Sequence, residues 1–165
     1  MLSIAGSATS KLQELLTSST GLNASLAALA QSENTTLLPV SATNVFTDNV
    51  SSDIAEKSVE PKYPAIYIYC DKMTNALTEK FRSFSGTIEM IIDVRVSQDR
   101  LDGIDQKSQL YTAGVTQTLG QNRGDWGGGL FYAGRYEISF GPVKHGGSNF
   151  IKSAKIAVQL NASID

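Results

Sequence analysis

The sequence has few of the residues that usually carry chemistry or covalent cross-links. Its 165 residues include one cysteine and one histidine, and the formal net charge is −2. Cys70 alone excludes an internal disulfide and a site with several thiolate ligands, and we interpret it as a small buried hydrophobe. Because acidic and basic residues are interspersed, we expect no broad cationic surface and no sequence-specific contact with nucleic acid.

Long hydrophobic runs are also missing. No stretch reaches the roughly 18 apolar residues that a membrane-spanning helix requires. The first residues, MLSIAGSATSK, have no basic flank ahead of their apolar patch. We therefore expect a protein that is not exported and has no membrane partner. The length suits one domain of ordinary size, residues 1–165.

The clearest pattern in the chain is the alternation in residues 86–98, GTIEMIIDVRVSQ. Every second position is apolar: Ile88, Met90, Ile92, Val94 and Val96. A two-residue period predicts a strand with one buried face. Glu89, Asp93 and Arg95 occupy alternate positions and are predicted to form its polar, solvated face.

Two short helices are predicted near the N-terminus. Their apolar positions recur at helical spacing: Leu12, Leu15, Leu16, Leu22, Leu26, Leu29 and Ala30. Ser7 is the candidate N-cap of the first helix, and Gly21 separates or kinks the pair. Residues 32–61 then show no sustained period. Such a segment is a functional arm, a partly ordered linker, or the place of a short strand between Leu37 and Phe46.

The rest of the chain predicts four strands and a third helix. Residues 65–70 and 86–98 are neighbouring strands and are expected to pair antiparallel. Alternation in residues 130–141 and 150–160 predicts two more, with Gly134 marking a bulge or bend. The resulting order is α-β-β-α-β-β. It predicts an α+β domain with a mainly antiparallel four-stranded sheet and helices packed on one face.

The third helix follows the long strand. Asp102 is predicted to cap it, and Asp105 places negative charge in its first turn. Its apolar face is traced by Ile104, Leu110, Tyr111, Val115 and Leu119. This face is expected to cover the dry side of the sheet.

Residues suited to chemistry do not form a recognisable motif. The only histidine, His145, lies in a glycine-rich turn, and only Cys70, brought there by folding, could serve it as a nucleophile. Asp99, Asp102 and Asp105 are spaced by three residues, but most of the EF-hand pattern is absent. Helix capping is the favoured interpretation of these aspartates.

Two further groups of residues also lack the surroundings that a catalytic or phosphate-binding site requires. Glu89 and Asp93 share a strand face, but an acid/base pair needs an enclosed pocket that separates the two pKa values, so a solvated face is favoured. Residues 124–129 are rich in glycine but contain no Gly-x-x-x-x-Gly-Lys. We therefore predict no catalytic, cofactor-binding or metal-binding residues and a protein that is not an enzyme.

The glycine-rich stretch 121–129 is instead predicted to be a loop, in which either flexibility or a close approach of the backbone is expected. Arg123, Asp125 and Trp126 lie within it, and Phe131 follows it. The two aromatic side chains either fill the core or become ordered against a partner. These four residues are the candidate partner contacts.

From Tyr63 to the C-terminus, the sequence resembles tail terminator (tail completion) proteins of long-tailed bacteriophages. The resemblance covers YPAIYIYC, FSGTIEMIIDVRVSQDRLDGI, the helix of Tyr111, the loop of Trp126 and GRYEISFGPVKHGG. It is based on the order of these segments and on their general residue pattern. No functional residue is carried over, because the resemblance includes no short diagnostic motif.

The resemblance implies a structural virion protein that caps the finished tail tube as a ring, usually hexameric. It also implies that the ring ends tube polymerisation and presents a surface to the head connector. The implied partners are further copies of the chain, the tail tube protein, a connector or neck protein and, in a contractile tail, the sheath protein. The implied location is the neck region of the virion, after assembly in the host cytoplasm.

A ring of this kind gives the polar face of the long strand a possible role. If Glu89, Asp93 and Arg95 faced the lumen, the acidic residues would repel passing DNA. Two alternative functions stay open. One is another neck, baseplate or tube-like virion component, and the other is a small ligand-binding or enzymatic α+β domain.

Overall fold

Three α-helices and eight β-strands make up the part of the chain that the computed structural model describes, residues 3–51, 54–55 and 62–165. The helices are α1 (Ile4–Thr17), α2 (Leu22–Ser32) and α3 (Ile104–Gln121), and a 3₁₀ turn covers Ala42–Asn44. The strands are β1 (Val45–Phe46), β2 (Ala65–Asn75), β3 (Phe84–Gln98), β4 (Gly124–Gly127), β5 (Leu130–Tyr132), β6 (Tyr136–Phe140), β7 (Lys144–Gly146) and β8 (Asn149–Ile164). The predicted α+β class is confirmed.

The eight strands form one mixed sheet that curls into a half-barrel. Its order is β1-β2-β3-β8-β5-β4, and β6 and β7 also pair with β8. β1 runs parallel to β2, whereas the other described pairings are antiparallel. The prediction of a four-stranded antiparallel sheet is therefore wrong. The difference arises largely at β8, whose 16 residues give β5, β6 and β7 room to pair in succession along one edge.

The alternation in residues 86–98 is confirmed as the centre of the core. β3 pairs with β2 on one side and with β8 on the other. The five predicted core side chains of β3 are each at most 1% exposed. α1 and α3 pack on this face and bury Leu12, Tyr111 and Leu119 against it. Burial of each large apolar side chain contributes roughly 1.5–3 kcal/mol before the entropy cost, so this face dominates the stability of the fold.

The helix starts differ from those predicted. Ser3, not Ser7, is the N-cap of α1, and its hydroxyl accepts a backbone N–H of the first turn at 3.0 Å. Gly103 precedes α3 without a side-chain cap, so Asp102 does not cap this helix. The carbonyl of Asp102 instead accepts a side-chain amide from the end of β3 at 2.7 Å. Asp105 lies in the first turn of α3 as predicted.

Hydrogen bonds attach part of the predicted irregular segment, residues 32–61, to the helices. The side chain of Asn23 accepts the N–H of Val40 at 2.8 Å and donates to its carbonyl at 2.9 Å. The hydroxyl of Tyr111 donates to the carbonyl of Leu38 at 2.7 Å. These bonds give the extended backbone the partners that a helix or a strand would otherwise supply.

The short strand left open between Leu37 and Phe46 is present. β1 follows the 3₁₀ turn and pairs with the start of β2. Its Phe46 stacks on Tyr67, with ring centroids 4.8 Å apart. A pairing of two residues is too short to produce an alternating pattern in the sequence. Residues 52–53 and 56–61 of the predicted segment lie outside the described residues.

The buried phenol of Tyr111 makes the stability of the fold sensitive to alkaline pH. Desolvation in the core raises the pKa of Tyr111 from 10.0 to about 12. The unfolded chain releases this proton near the ordinary pKa, whereas the folded chain holds it to higher pH, so the stabilisation present below pH 10 is lost as pH rises. We expect the free energy of unfolding to fall by about 2 kcal/mol through this window, as measured by urea denaturation.

Tyr111→Phe is the matched control for this pH dependence. It removes the titrating hydroxyl, so the decline in stability above pH 10 should become shallower. The variant should lose about 1 kcal/mol at pH 7, because the carbonyl of Leu38 loses its donor. An alkaline profile parallel to that of the unsubstituted protein would contradict the assignment to Tyr111.

Candidate functional site

The glycine-rich stretch 121–129 ends in a β-hairpin, so the prediction of a loop is wrong for residues 124–127. β4 pairs antiparallel with β5, and residues 127–129 form the turn with φ between 61° and 83°. Glycine adopts this left-handed region at little steric cost, and the three glycines therefore serve a tight turn. The predicted strand at 130–141 is divided into β5 and β6 near Gly134, where the sequence indicated a bend.

Three of the four predicted contact residues are exposed, and one is not. Arg123, Asp125 and Phe131 face solvent, whereas Trp126 is partly buried and packs against the core. The indole N–H of Trp126 donates to a carbonyl at the end of α3 at 2.7 Å, and its ring centroid lies 5.4 Å from that of Tyr132. Trp126 therefore packs against the edge of the core and is not a free contact residue. Phe131, at 47% exposure, is the aromatic side chain of this hairpin that is accessible to a partner.

A second exposed apolar feature, which the sequence analysis missed, is the β2–β3 loop, residues 76–83. Leu77 is 64% exposed and Phe81 is 100% exposed. Both have left-handed backbone conformations, with φ of 49° and 69°. Apolar side chains at such positions gain little from folding, and their backbones cost on the order of 1–3 kcal/mol each. The available sequence signal was two large hydrophobes in a connection otherwise rich in polar residues.

Hydrogen bonds hold the backbone of the β2–β3 loop. The Asn75 Oδ1 atom accepts the N–H groups of Leu77 at 3.3 Å and Ser85 at 3.0 Å, and its Nδ2 donates to the carbonyl of Ser83 at 3.2 Å. The hydroxyl of Ser85 accepts the N–H of Glu79 at 3.0 Å. These bonds hold the backbone at Leu77 and on both sides of Phe81, at Glu79 and Ser83.

The β2–β3 loop and Phe131 lie at the same end of the sheet. Phe131 is opposite Asn161 of β8, which is opposite Thr87 near the start of β3. A groove of about 330 Å³ lies between the loop and Phe131. We call Leu77, Phe81 and Phe131 the apical patch. All three are exposed apolar side chains at one end of the sheet, and exposed apolar surface of this kind can mark a site of protein interaction.

Two residues of the predicted polar face are buried, so that part of the prediction is wrong. Asp93 and Arg95 are each 3% exposed, and their side chains form an ion pair with an N–O distance of 3.0 Å. Arg95 also donates to the carbonyl of Val50 and places its guanidinium carbon 4.0 Å from the ring centroid of Tyr67. The sheet curls here and the chain at Val50 crosses the ion pair, whereas the sequence pattern assumed an open face.

Glu89 is the remaining residue of that predicted face, and it is half-exposed. Its carboxylate lies 4.0 Å from the ammonium of Lys72 on the neighbouring strand. Asp93 is engaged by Arg95 instead. Glu89 and Asp93 therefore do not form an acid/base pair, and Glu89 alone fits the predicted polar face.

The other residues considered for chemistry are not brought together. Cys70 on β2 and His145 on β7 are separated by β3 and β8, and burial raises the pKa of the Cys70 thiol. Asp105 pairs with Lys152 at 2.7 Å, whereas Asp99 is exposed beside its neighbouring arginine. Across the described ranges, no three His, Cys, Asp or Glu side chains are grouped closely enough to hold a metal.

Comparisons with known proteins assign no family to the chain. No protein-family model matches the sequence, and no curated protein matches it. None of the helices in the described part of the chain is long and apolar enough to cross a membrane. The apical patch is therefore the candidate functional site on its geometry alone.

Proposed function

We propose that this chain is a structural virion protein that caps a phage tail tube as a hexameric ring. The ring ends tube polymerisation and forms the joining surface for the head connector. The apical patch is the observation that carries the proposal. It places three exposed hydrophobes at one end of a rigid sheet, where they can dock on a flat assembly such as a tube end. The resemblance from Tyr63 onward supports the same class of protein.

A ring needs two different patches on each subunit, because its contacts are heterologous. β6 supplies a second apolar surface away from the apical patch. Tyr136 and Phe140 lie on the helix side of the sheet, opposite Val158 and Ala154 of β8, yet both are half-exposed. We assign this stripe to the contact with the neighbouring subunit and the apical patch to the contact with the tail tube protein.

The remaining partners follow from the same proposal. The connector or neck protein would meet the face of the ring away from the tube, and a contractile tail would add the sheath protein. Assembly would take place in the host cytoplasm, and the mature location would be the neck region of the virion. Of the three residues proposed for a lumen-facing surface, only Glu89 is accessible enough to act on passing DNA, since Asp93 and Arg95 pair with each other.

Electron microscopy of the purified chain with the tail tube protein of the same phage tests this proposal. We expect rings at the tube ends and a tube length that shortens as the chain is added in excess. A monomer that never binds tube ends would overturn the proposal. Long tubes formed by the chain alone would instead identify a tube-like subunit, which is the alternative structural role.

A further inference from the structure

A cavity of about 410 Å³ lies on the sheet face away from the helices. β3 and β8 form its floor, the chain at residues 49–51 crosses one side, and residues 139–144 form another. Its polar side chains include a buried ion pair and several hydroxyl groups. Those used below are Asp93, Arg95, Ser139, Lys144, Ser153 and Lys155.

The charges around this cavity are unbalanced. Among the described residues that line it, Arg95, Lys144 and Lys155 are cationic and Asp93 is the one acidic residue. Asp93 is already paired with Arg95, so the two lysines have no acidic partner within this described lining. Three cations against one anion give the described lining a net positive charge in a chain whose formal net charge is −2. Such a concave surface attracts anions.

The ion pair itself has unused hydrogen-bonding capacity. Among the described residues, Nη1 of Arg95 and Oδ1 of Asp93 have no hydrogen-bond partner, although both side chains are 4% exposed. A buried polar atom without a partner costs about 1–3 kcal/mol. Buried polar atoms beside a cavity call for a partner such as a water, an ion or another bound group.

We propose that this cavity binds a ligand bearing an oxyanion, a carboxylate or a phosphate group. Arg95 provides a planar guanidinium at the floor, and guanidinium groups match the geometry of both oxyanions. Lys144 and Lys155 add charge at the rim, and Ser139 and Ser153 line the same cavity with hydroxyl groups that can donate hydrogen bonds. The site does not depend on the proposed tail function. Its ligand is either a free small molecule or an acidic side chain of a protein segment.

Isothermal titration at low ionic strength tests this site with three probes: inorganic phosphate, malonate and a tetraglutamate peptide. We expect saturable binding of one molecule per chain by at least one probe. Saturation by phosphate or malonate would identify a small-molecule ligand. Saturation by the peptide alone would identify an acidic protein segment. The absence of saturable binding by all three probes would overturn the proposal.

Three lysine variants locate the bound oxyanion. Lys144→Gln and Lys155→Gln should each weaken binding of the probe by about 5- to 10-fold, since each removes one cation from the rim. Lys72→Gln is the matched control, because Lys72 is exposed on the same sheet but does not line the cavity. Equal weakening by Lys72→Gln would show a diffuse charge effect and would overturn the site. All three lysines are exposed, so none of these variants should unfold the protein.

Discussion

Replacement of Arg95 by methionine is expected to destabilise the protein by about 3–5 kcal/mol. Asp93 and Arg95 are both buried and form an ion pair at 3.0 Å. Removal of the guanidinium would leave the carboxylate of Asp93 buried without its counter-ion. It would also remove the bond to the carbonyl of Val50 and the contact with the ring of Tyr67. Urea denaturation at neutral pH measures the loss as a shift of the midpoint.

Two control variants separate a lost charge partner from lost packing. Asp93→Leu combined with Arg95→Met removes both charges and should recover much of the stability, since an apolar pair of similar volume often replaces a buried ion pair at little cost. Arg135→Met removes one partner of an exposed pair with Glu137 and should cost less than about 1 kcal/mol. If Arg95→Met cost no more than Arg135→Met, solvent or another cation would have to reach Asp93 in the folded state.

The hydrophobic pattern predicted the core of this fold well. Alternation in β3 identifies the buried side chains because the pleat of a strand points successive side chains to opposite faces, and one of these faces is covered. Helical spacing did the same for α3, where Tyr111, Val115 and Leu119 are buried. Both elements are long, so several residues repeat the same signal.

The same pattern could not show what happens on the second face of the sheet. It placed Asp93 and Arg95 opposite the core but carried no information on the curl of the sheet or on the chain at Val50. Charged residues are rarely buried unless they are paired, and Asp93 and Arg95, two positions apart on one strand, satisfy that exception. The one signal available for this pair was that two opposite charges lie two positions apart in a predicted strand.

Short elements and loops were the other limit of the sequence analysis. Three consecutive glycines suit a mobile loop or a tight turn equally well, and only the pairing of β4 with β5 decides between them. Phe131 was identified as a candidate contact from its position beside these glycines. Leu77 and Phe81 were overlooked, because no periodicity distinguishes an exposed hydrophobe in a loop from a buried one.

Substitution of both Leu77 and Phe81 by glutamate is expected to abolish the proposed capping of the tail tube while leaving the fold intact. Both side chains are largely exposed, so they contribute little to the core, and surface substitutions usually change stability by less than about 0.5 kcal/mol. Exposed aromatic and aliphatic anchors, by contrast, often carry much of the energy of an interface. The variant should keep its unfolding midpoint, whereas tubes assembled in its presence should grow to uncontrolled lengths in electron micrographs.

Leu101→Glu is the matched control for the apical patch. Leu101 is 58% exposed and follows the end of β3, whereas the β2–β3 loop precedes its start. At about 3.3 Å per residue, β3 separates the two positions by several tens of ångströms. Leu101→Glu adds the same kind of charge but should leave capping unchanged. Normal tube lengths with the Leu77 and Phe81 double variant would exclude the apical patch as the tube contact. Loss of capping in Leu101→Glu would show that a glutamate at an exposed apolar position prevents capping away from the patch as well, and would remove the support for this assignment.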